Sequence, residues 1–297
     1  MAVIGNQVGL TLERMVLATD FSPSSQTATA YARLLARHFS SHLTLVHVVD
    51  LAVATKSEEA VASLVPDERR LIGIEKLEQM MNEMISDGVH ATAQTLESHH
   101  PAAAIVGLSN QLHADMIVMG SNARHGLGKL FIGSCSEGVI RHASCPVMTA
   151  GPKADYPTGK SICFNRVIFA TDFGPDAAGK AAVAAAIAKD GMARLYLCHV
   201  SKDPGKDIAQ TVEQQIHFEE SLQKLIPSST YQYISPECVV DYGDSAEHIL
   251  DLAKKANADL IVLGATRSLS WFTNLGDGVV GHILGEAECP ILTICKA

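Results

Sequence analysis

Short apolar runs alternate with longer stretches of mixed apolar and polar residues along the whole chain. In the first half the runs are MVLAT, LTLVHVV, ATAQTL, MIVMG and PVMTA, and a segment of helical length separates each run from the next. Runs of this length and composition are typical of strands. The segment 244–256 has helical periodicity, with Asp244 as a candidate N-cap and one apolar face formed by Ile249, Leu252 and Ala253. Such alternation predicts right-handed crossovers and a doubly wound parallel sheet of five strands.

The same pattern occurs twice. RMVLATDFSPSS near the start matches RVIFATDFGPDA after the middle, ADMIVMGS matches ADLIVLGA, and SCPVMTA matches ECPILTI. Asp20 and His47 are 27 residues apart, as are Asp172 and His199. Equal spacing between matching blocks indicates a duplication. We therefore expect an α/β protein with two tandem domains, which we call copy one and copy two, packed as a pseudo-dimer.

The segment GPKADYPTGKS is rich in glycine, proline and polar residues, which is typical of a linker. We expect one domain over residues 1–151, a linker over 152–161 and a second domain over 162–297. His47 to Gly120 spans 73 residues but His199 to Gly264 spans only 65, so copy two lacks eight residues around its second helix.

Composition narrows the classes of partner. The net charge is -9 and no cluster of Lys and Arg occurs, which argues against nucleic acid and anionic membrane surfaces as partners. No apolar run reaches the roughly 18 residues that span a bilayer, and the start lacks the pattern of a signal peptide, so we expect a cytoplasmic protein. The seven cysteines include no C-x-x-C pair, which indicates reduced thiols that mostly fill the core, as expected for Cys145 and Cys289.

Candidate chemistry lies at the predicted carboxyl ends of the strands, where ligands bind in doubly wound sheets. Thr19 and Asp20 follow the first strand, and the glycine-rich loop GSNARHGLGKLFIGS (120–134) follows the fourth and leads into a helix near Ser134. Asp20 could accept hydrogen bonds from a ligand or cap the helix that starts at Ser22. Ser134 could contact a phosphate at the helix start or act as a plain N-cap. The sequence leaves both alternatives open.

ATDFS, LVHVV, ADMIVMGS and the glycine loop followed by RHASCPV resemble the universal stress protein family. The resemblance covers essentially the whole chain, twice, as in the tandem members of that family. It implies an adenine nucleotide alpha hydrolase-like fold and a role in regulating the stress response. It also implies binding of ATP, or of ADP or AMP, with Mg²⁺ as a further candidate.

Nucleotide-binding members carry a Gly, two residues, a Gly, nine residues and then Gly-Ser or Gly-Thr. By resemblance, Asp20 would contact the adenosine and Val48 would meet the adenine through its backbone. Arg124, His125 and the start of the helix would contact phosphates. The full implied set is Ala18, Thr19, Asp20, Val48, Met119, Gly120, Ala123, Arg124, His125, Gly133, Ser134, Cys135 and Ser136. Ala123 replaces the second glycine, and if positive φ is needed there it costs roughly 1 to 2 kcal/mol, about tenfold in affinity.

The corresponding loop of copy two is GATRSLSWFTNLGDG (264–278). Counting from Gly264 places Arg267 at the second glycine, Asp277 at the third and Gly278 at the serine. A carboxylate about 4 Å from a phosphate charge would cost on the order of 4 kcal/mol. We expect copy two not to bind ATP in this manner, with Trp271 and Phe272 in packing roles.

The chain has no G-x-S-x-G elbow, Walker lysine or H-E-x-x-H motif, which argues against efficient catalysis. Two alternatives to nucleotide binding alone are a slow ATPase and an interaction scaffold that binds no nucleotide. His99 and His100, joined by His125 or His142, are candidate Zn²⁺ ligands. Regulatory protein partners and a homodimer are further candidates, and the sequence identifies neither.

Overall fold

The computed structural model describes residues 11–51, 66–122, 124–126, 129–131, 133–159, 161–162, 164–264 and 278–294. The elements of copy one are β1 (Arg14–Ala18), α1 (Pro23–Phe39), β2 (His42–Asp50), α2 (Pro66–Ser86), β3 (His90–Ser98), α3 (Pro101–Gln111), β4 (Met116–Gly120), β5 (Arg124–Gly126), β6 (Lys129–Phe131), α4 (Ser134–His142) and β7 (Val147–Ala150). Those of copy two are β8 (Arg166–Thr171), α5 (Ala177–Asp190), β9 (Arg194–Ser201), α6 (Ile208–Lys224), β10 (Glu237–Tyr242), α7 (Ser245–Ala256), β11 (Leu260–Gly264), α8 (Val279–Glu286) and β12 (Ile291–Thr293).

Ten of the described strands form one continuous sheet in the order β10-β9-β8-β11-β12-β7-β4-β1-β2-β3. Within each copy the neighbouring strands are parallel, which confirms the predicted doubly wound architecture with five strands per copy. The two halves meet where β7 pairs with β12 in antiparallel register. The sequence predicted a pseudo-dimer, and the structure adds that its two sheets are continuous.

Two apolar layers cover the faces of the sheet. Along β1 the side chains alternate, so that Met15 and Leu17 face the layer containing α1 and α2, while Val16 and Ala18 face the layer containing α3 and α4. This period of two is the geometry of a strand buried on both faces. Copy two repeats the arrangement with α5 and α6 in one layer and α7 and α8 in the other.

Helices α1 and α7 begin at their sequence signals. Ser22 is the N-cap of α1, its side chain accepting from the Ser25 N–H, and Pro23 is the first helical residue. Asp244 caps α7 as predicted, because its Oδ1 accepts from the N–H groups of Ala246 and Glu247 at 2.9 and 3.0 Å.

One element was not predicted: the glycine-rich loop contains the short antiparallel hairpin β5–β6, in which Arg124 lies opposite Phe131. In the described part of the chain, no helix is both long enough and apolar enough to cross a membrane.

Candidate functional site

The candidate site of copy one lies at the carboxyl edge of the sheet, between β1 and β4. The chain runs outward from β1 to β2 and β3 and then returns through β4 to β7, so the strand order reverses at this point. A reversal of this kind leaves a crevice beyond the strand ends. Asp20 follows β1 and Asn122 follows β4, and the Asn122 Nδ2 group donates to Asp20 Oδ2 at 3.0 Å across the crevice.

The Asp20 carboxylate is held by the beginning of α1. Its Oδ1 accepts from the Ser22 N–H at 3.0 Å and from the Ser25 hydroxyl at 2.5 Å. Burial by itself would raise the pKa of Asp20, but the hydrogen bonds from Ser22 and Ser25 outweigh it and lower the pKa below its usual value of 3.8. Asp20 is therefore ionised at neutral pH. It is not the N-cap, which is Ser22, and its partly exposed carboxylate is a fixed hydrogen-bond acceptor at the crevice.

Thr19 and the half-buried His47 lie beneath Asp20. Thr19 is buried, and its N–H donates to Val46 O at 2.9 Å. His47 Nδ1 lies 2.9 Å from Thr19 O, and since a carbonyl only accepts, Nδ1 carries the proton. Burial lowers the pKa of His47 despite opposing effects of Thr19 and Asp20, so the ring is neutral. The Phe21 ring packs against it with centroids 4.6 Å apart.

Gly120, at the end of β4, allows α1 to approach the sheet closely. A β-carbon at this position would overlap the Ser25 backbone nitrogen and the Ser24 carbonyl. From the other side, the Ser136 hydroxyl of α4 donates to Gly120 O at 3.1 Å. Ser136 is buried, so its side chain holds α4 against β4 and is already engaged within the protein. This geometry leaves the backbone N–H groups and Ser134 as the α4 groups available to an anion.

The beginning of α4 is open. Gly133 is its N-cap, so the alternative of Ser134 as N-cap is wrong; Ser134 is the first helical residue and is exposed. With a glycine N-cap, no side chain caps this end, and the first N–H groups and the positive helix end are left for an anion. A β-carbon at Gly133 would have room, its nearest neighbour being Ser136 Oγ at 4.0 Å.

Cys135 follows Ser134 in the first turn of α4. Burial is the main reason that the pKa of its thiol rises to about 11, and the charges of Asp20 and Asp50 add to the effect. The thiol is therefore protonated at neutral pH and is not a thiolate nucleophile. Asp50 is the last residue of β2 and so lies at the same carboxyl edge of the sheet. Ala18 and Met119 are buried strand ends and Val48 is half-buried on β2, close to where the resemblance puts the adenine.

The remaining predicted residues of the loop are only partly described. Arg124 and His125 belong to β5, but their side chains, like Ala123 as a whole, lie outside the described residues. His99 and His100 are exposed at the start of α3, and within the described ranges no three His, Cys, Asp or Glu side chains are grouped to hold a metal. The sequence analysis did not predict Ser25 and Asn122. A weak signal was available, because Ser25 lies five residues after Asp20 and Asn122 lies two residues after Gly120.

Copy two keeps the histidine contacts of copy one but differs in the residues around the crevice. His199 Nδ1 lies 2.9 Å from Thr171 O and Phe173 packs on the ring, as in copy one. Asp172 Oδ1 accepts from the Gly174 N–H at 2.9 Å, but Ala177 stands where copy one has Ser25. Helix α5 begins at Ala177, two residues later than its counterpart.

Copy two differs from copy one at two further positions near the crevice. Lys180, which is buried, occupies the position of Ala28. Gly278, the N-cap of α8, occupies the position of Ser134 and offers no hydroxyl. The predictions for Arg267, Trp271, Phe272 and Asp277 fall outside the described residues.

The thiols that precede the last strand of each copy are buried. Cys145 and Cys289 lie in the core, and burial is the largest cause of their raised pKa values, about 11 and about 12. The prediction that they fill the core is confirmed.

Comparison with known proteins gives consistent matches. The family model described as the Universal stress protein family matches residues 11–150 and again residues 164–294. A universal stress protein of Methanocaldococcus jannaschii is 32% identical over 141 residues, which cover 46% of this chain and 80% of that protein. Another from Thermus aquaticus is 33% identical over 138 residues, covering 45% and 95% respectively. The crystal structure of a universal stress protein from Archaeoglobus fulgidus aligns over 98% of both chains with a TM-score of 0.72 at 22% identity, which shows the same fold.

Proposed function

Because this chain belongs to the universal stress protein family, whose members are stress-response proteins, we propose that it is a nucleotide-responsive regulator that binds one adenine nucleotide, in copy one. The observation that carries the proposal is the pairing of two groups at the strand reversal: an ionised, fixed acceptor at Asp20 and an open, uncapped helix start at Gly133 and Ser134. An adenine nucleotide has hydroxyl donors on its ribose and negative charge on its phosphates, so its two ends match these two groups.

In the proposed complex the ribose hydroxyls donate to Asp20 and the base lies toward Val48. The phosphates accept from the first N–H groups of α4 and from the Ser134 hydroxyl. Arg124 and His125 are further contacts of the phosphates in this proposal, and Mg²⁺ accompanies ATP. Copy two has no hydroxyl at Gly278 and no serine at Ala177, so in the proposal it binds no ATP.

Mass spectrometry of small molecules released from freshly purified, denatured protein tests the proposal first. Calorimetric titration of ATP with Mg²⁺ into the wild type and into Gly133→Asp then locates the site. Gly133 has room for the new side chain, and aspartate is a favourable N-cap, so the variant is expected to fold. A carboxylate about 4 Å from a phosphate charge opposes binding by on the order of 4 kcal/mol, so binding should be lost.

Gly278→Asp is the matched control, because Gly278 is the N-cap of α8 in copy two. It should leave ATP binding unchanged. If no nucleotide is recovered and millimolar ATP gives no heat, the proposal is wrong and the alternative is an interaction scaffold whose loop no longer binds a ligand. Phosphate release from ATP, measured on the same samples, separates a slow ATPase from a protein that only binds.

A further inference from the structure

The internal two-fold relation brings equivalent residues of the two copies face to face at two places. In the central strands Met148 lies opposite Leu292, and both occupy the same position in their copies. Between helices α1 and α5, His38 Nε2 lies 2.7 Å from Asp190 Oδ2. These two positions are equivalent, because His38 follows Asp20 by 18 positions and Asp190 follows Asp172 by 18 positions. A residue on a two-fold axis contacts its own equivalent. The pseudo-axis therefore passes between Met148 and Leu292 and between His38 and Asp190.

The second of these pairs is chemically complementary. If two copy-one halves associated in the same way, one His38 would face another and the hydrogen bond to a carboxylate would be lost. If two copy-two halves associated, Asp190 would face Asp190, and two carboxylates at that separation do not both ionise without cost. Only the mixed pairing sets an imidazole opposite a carboxylate at this point.

The apolar layer beneath this pair is also divided unequally between the copies. Copy one has Leu12 before its first strand and Phe39 at the end of α1, whereas copy two has Phe164 and Gly191 at those positions. A β-carbon on Gly191 would overlap Phe164 O, so copy two cannot carry the larger residue of copy one there. These four residues line one cavity between the halves of only about 20 Å³, so the two unequal surfaces fill the space between them.

The segment between the copies makes contacts that would not form if copy one and copy two exchanged places. The Tyr31 hydroxyl of α1 donates to Asp155 O at 3.1 Å, and the Asp155 N–H donates to Glu288 O at 2.8 Å. Lys153 Nζ lies 2.6 Å from Glu286 Oε2. Val183 of α5 occupies the position equivalent to Tyr31 and has no hydroxyl, so the inverse contact does not exist.

We propose that the internal interface is a recognition surface with one fitting partner, the other half of the same chain, and that it discriminates against a second copy of its own half. His38 with Asp190 supplies discrimination through the imidazole–carboxylate hydrogen bond and the repulsion between like carboxylates, and Phe39 with Gly191 supplies the discrimination by shape. As a result, copy one pairs with copy two in preference to a second copy one. The proposal stands independently of whether copy one binds a nucleotide.

Two full-length charge variants test the selectivity directly. In His38→Asp every pairing places carboxylates together, and in Asp190→His every pairing places imidazoles together. If the two variants are unfolded and refolded as a mixture, only an exchanged heterodimer restores both complementary pairs. With chains of different mass, native mass spectrometry should show several-fold more heterodimer in this mixture than dimer in either variant alone.

The matched control mixes the wild type with the double variant carrying both His38→Asp and Asp190→His. Each of these chains already holds a complementary pair, and exchange between them would create only mismatched ones, so no enrichment of heterodimer is expected. The proposal is overturned if the mixture of single variants forms no more heterodimer than this control.

Urea unfolding of the same four proteins establishes that the variants fold. The side chains of His38 and Asp190 are 34% and 38% exposed, so the coupling between them is expected to be small, roughly two- to fivefold in the ratio of folded to unfolded protein. The double variant should recover what each single variant loses. Strict additivity of the two losses would contradict the proposed role of this pair.

Discussion

Gly73 of α2 lies directly against the imidazole ring of His47: a β-carbon built on Gly73 would stand 2.7 Å from Cδ2 of that ring. The ring is fixed by its hydrogen bond to Thr19 O beneath the candidate site, so it cannot simply turn away. In copy two, Phe218 of α6 packs on the equivalent His199 with ring centroids 4.5 Å apart. Each copy thus fills the space beside the same histidine from its second helix, in one case by close backbone approach and in the other by an aromatic ring.

This contact predicts that Gly73→Ala destabilises the protein although alanine favours helices. We expect a loss of about 1 to 3 kcal/mol in the free energy of unfolding, because the methyl group overpacks against His47. Gly107→Ala is the matched control: Gly107 is also inside a helix, but a β-carbon there meets nothing within 4 Å, so about 0.5 to 1 kcal/mol should be gained. Urea denaturation measures both, and equal changes would show that the close approach to His47 has no energetic effect.

Thr149 and Thr293 occupy equivalent buried positions in the central strands but differ in their hydrogen bonds. Thr293 Oγ1 donates to Val147 O at 3.2 Å, whereas Thr149 Oγ1 has no partner in the described structure. Replacing an unpaired buried hydroxyl by a methyl group removes a desolvation cost. We expect Thr149→Val to raise the free energy of unfolding by about 1 kcal/mol and Thr293→Val to lower it by about 1 kcal/mol. Thermal and chemical denaturation of the two variants would contradict this if both moved stability in the same direction.

The half-buried histidines His47 and His199 predict a dependence of stability on pH. Burial lowers the pKa of both His47 and His199 below the ordinary value of 6.5, so the folded state favours the neutral rings. As the pH falls below about 6.5 the unfolded chain takes up protons that the folded chain does not, and the free energy of unfolding decreases. We expect the urea midpoint to fall between pH 7 and pH 5.5.

Substituting these two histidines tests the assignment. In the double variant His47→Gln and His199→Gln the decrease over the same pH range should be smaller than in the wild type, because glutamine does not titrate there. An unchanged slope would assign the effect to other groups.

Asp20→Asn tests the proposed ribose contact. The neutral amide is a weaker acceptor. Its oxygen can still accept from Ser22 and Ser25, but its NH₂ group then stands at the Oδ2 position, where it cannot accept from Asn122 Nδ2. We expect the affinity for ATP, measured by calorimetry, to fall by about tenfold, the equivalent of about 1.4 kcal/mol. Asp172→Asn makes the same change in copy two and should leave ATP affinity unaltered. A larger effect of Asp172→Asn on ATP affinity would show that the nucleotide binds in copy two instead.

Most of the fold was predictable from local pattern. The apolar runs became strands, Asp244 became a cap, and the repeated blocks gave two five-stranded parallel units, because each of these features depends on neighbouring residues in the chain. The positions of Thr19, Asp20 and Gly120 at the carboxyl edge also followed, since every strand of a parallel sheet ends at that edge. The bond between Ser136 and Gly120 O was not predictable, because it depends on how α4 packs against β4.

The sequence by itself determined the duplication, the fold of each copy and the residue types at the candidate site, because these are set by periodicity and by spacing along the chain. The tertiary structure alone decided that β7 and β12 join the two sheets, that His38 meets Asp190, and that Thr149 lacks the bond that Thr293 makes. These contacts join residues more than a hundred positions apart, and they depend on the close packing of two similar but unequal surfaces. Similar local sequences gave both copies one architecture, and the packing between the copies decided where they differ.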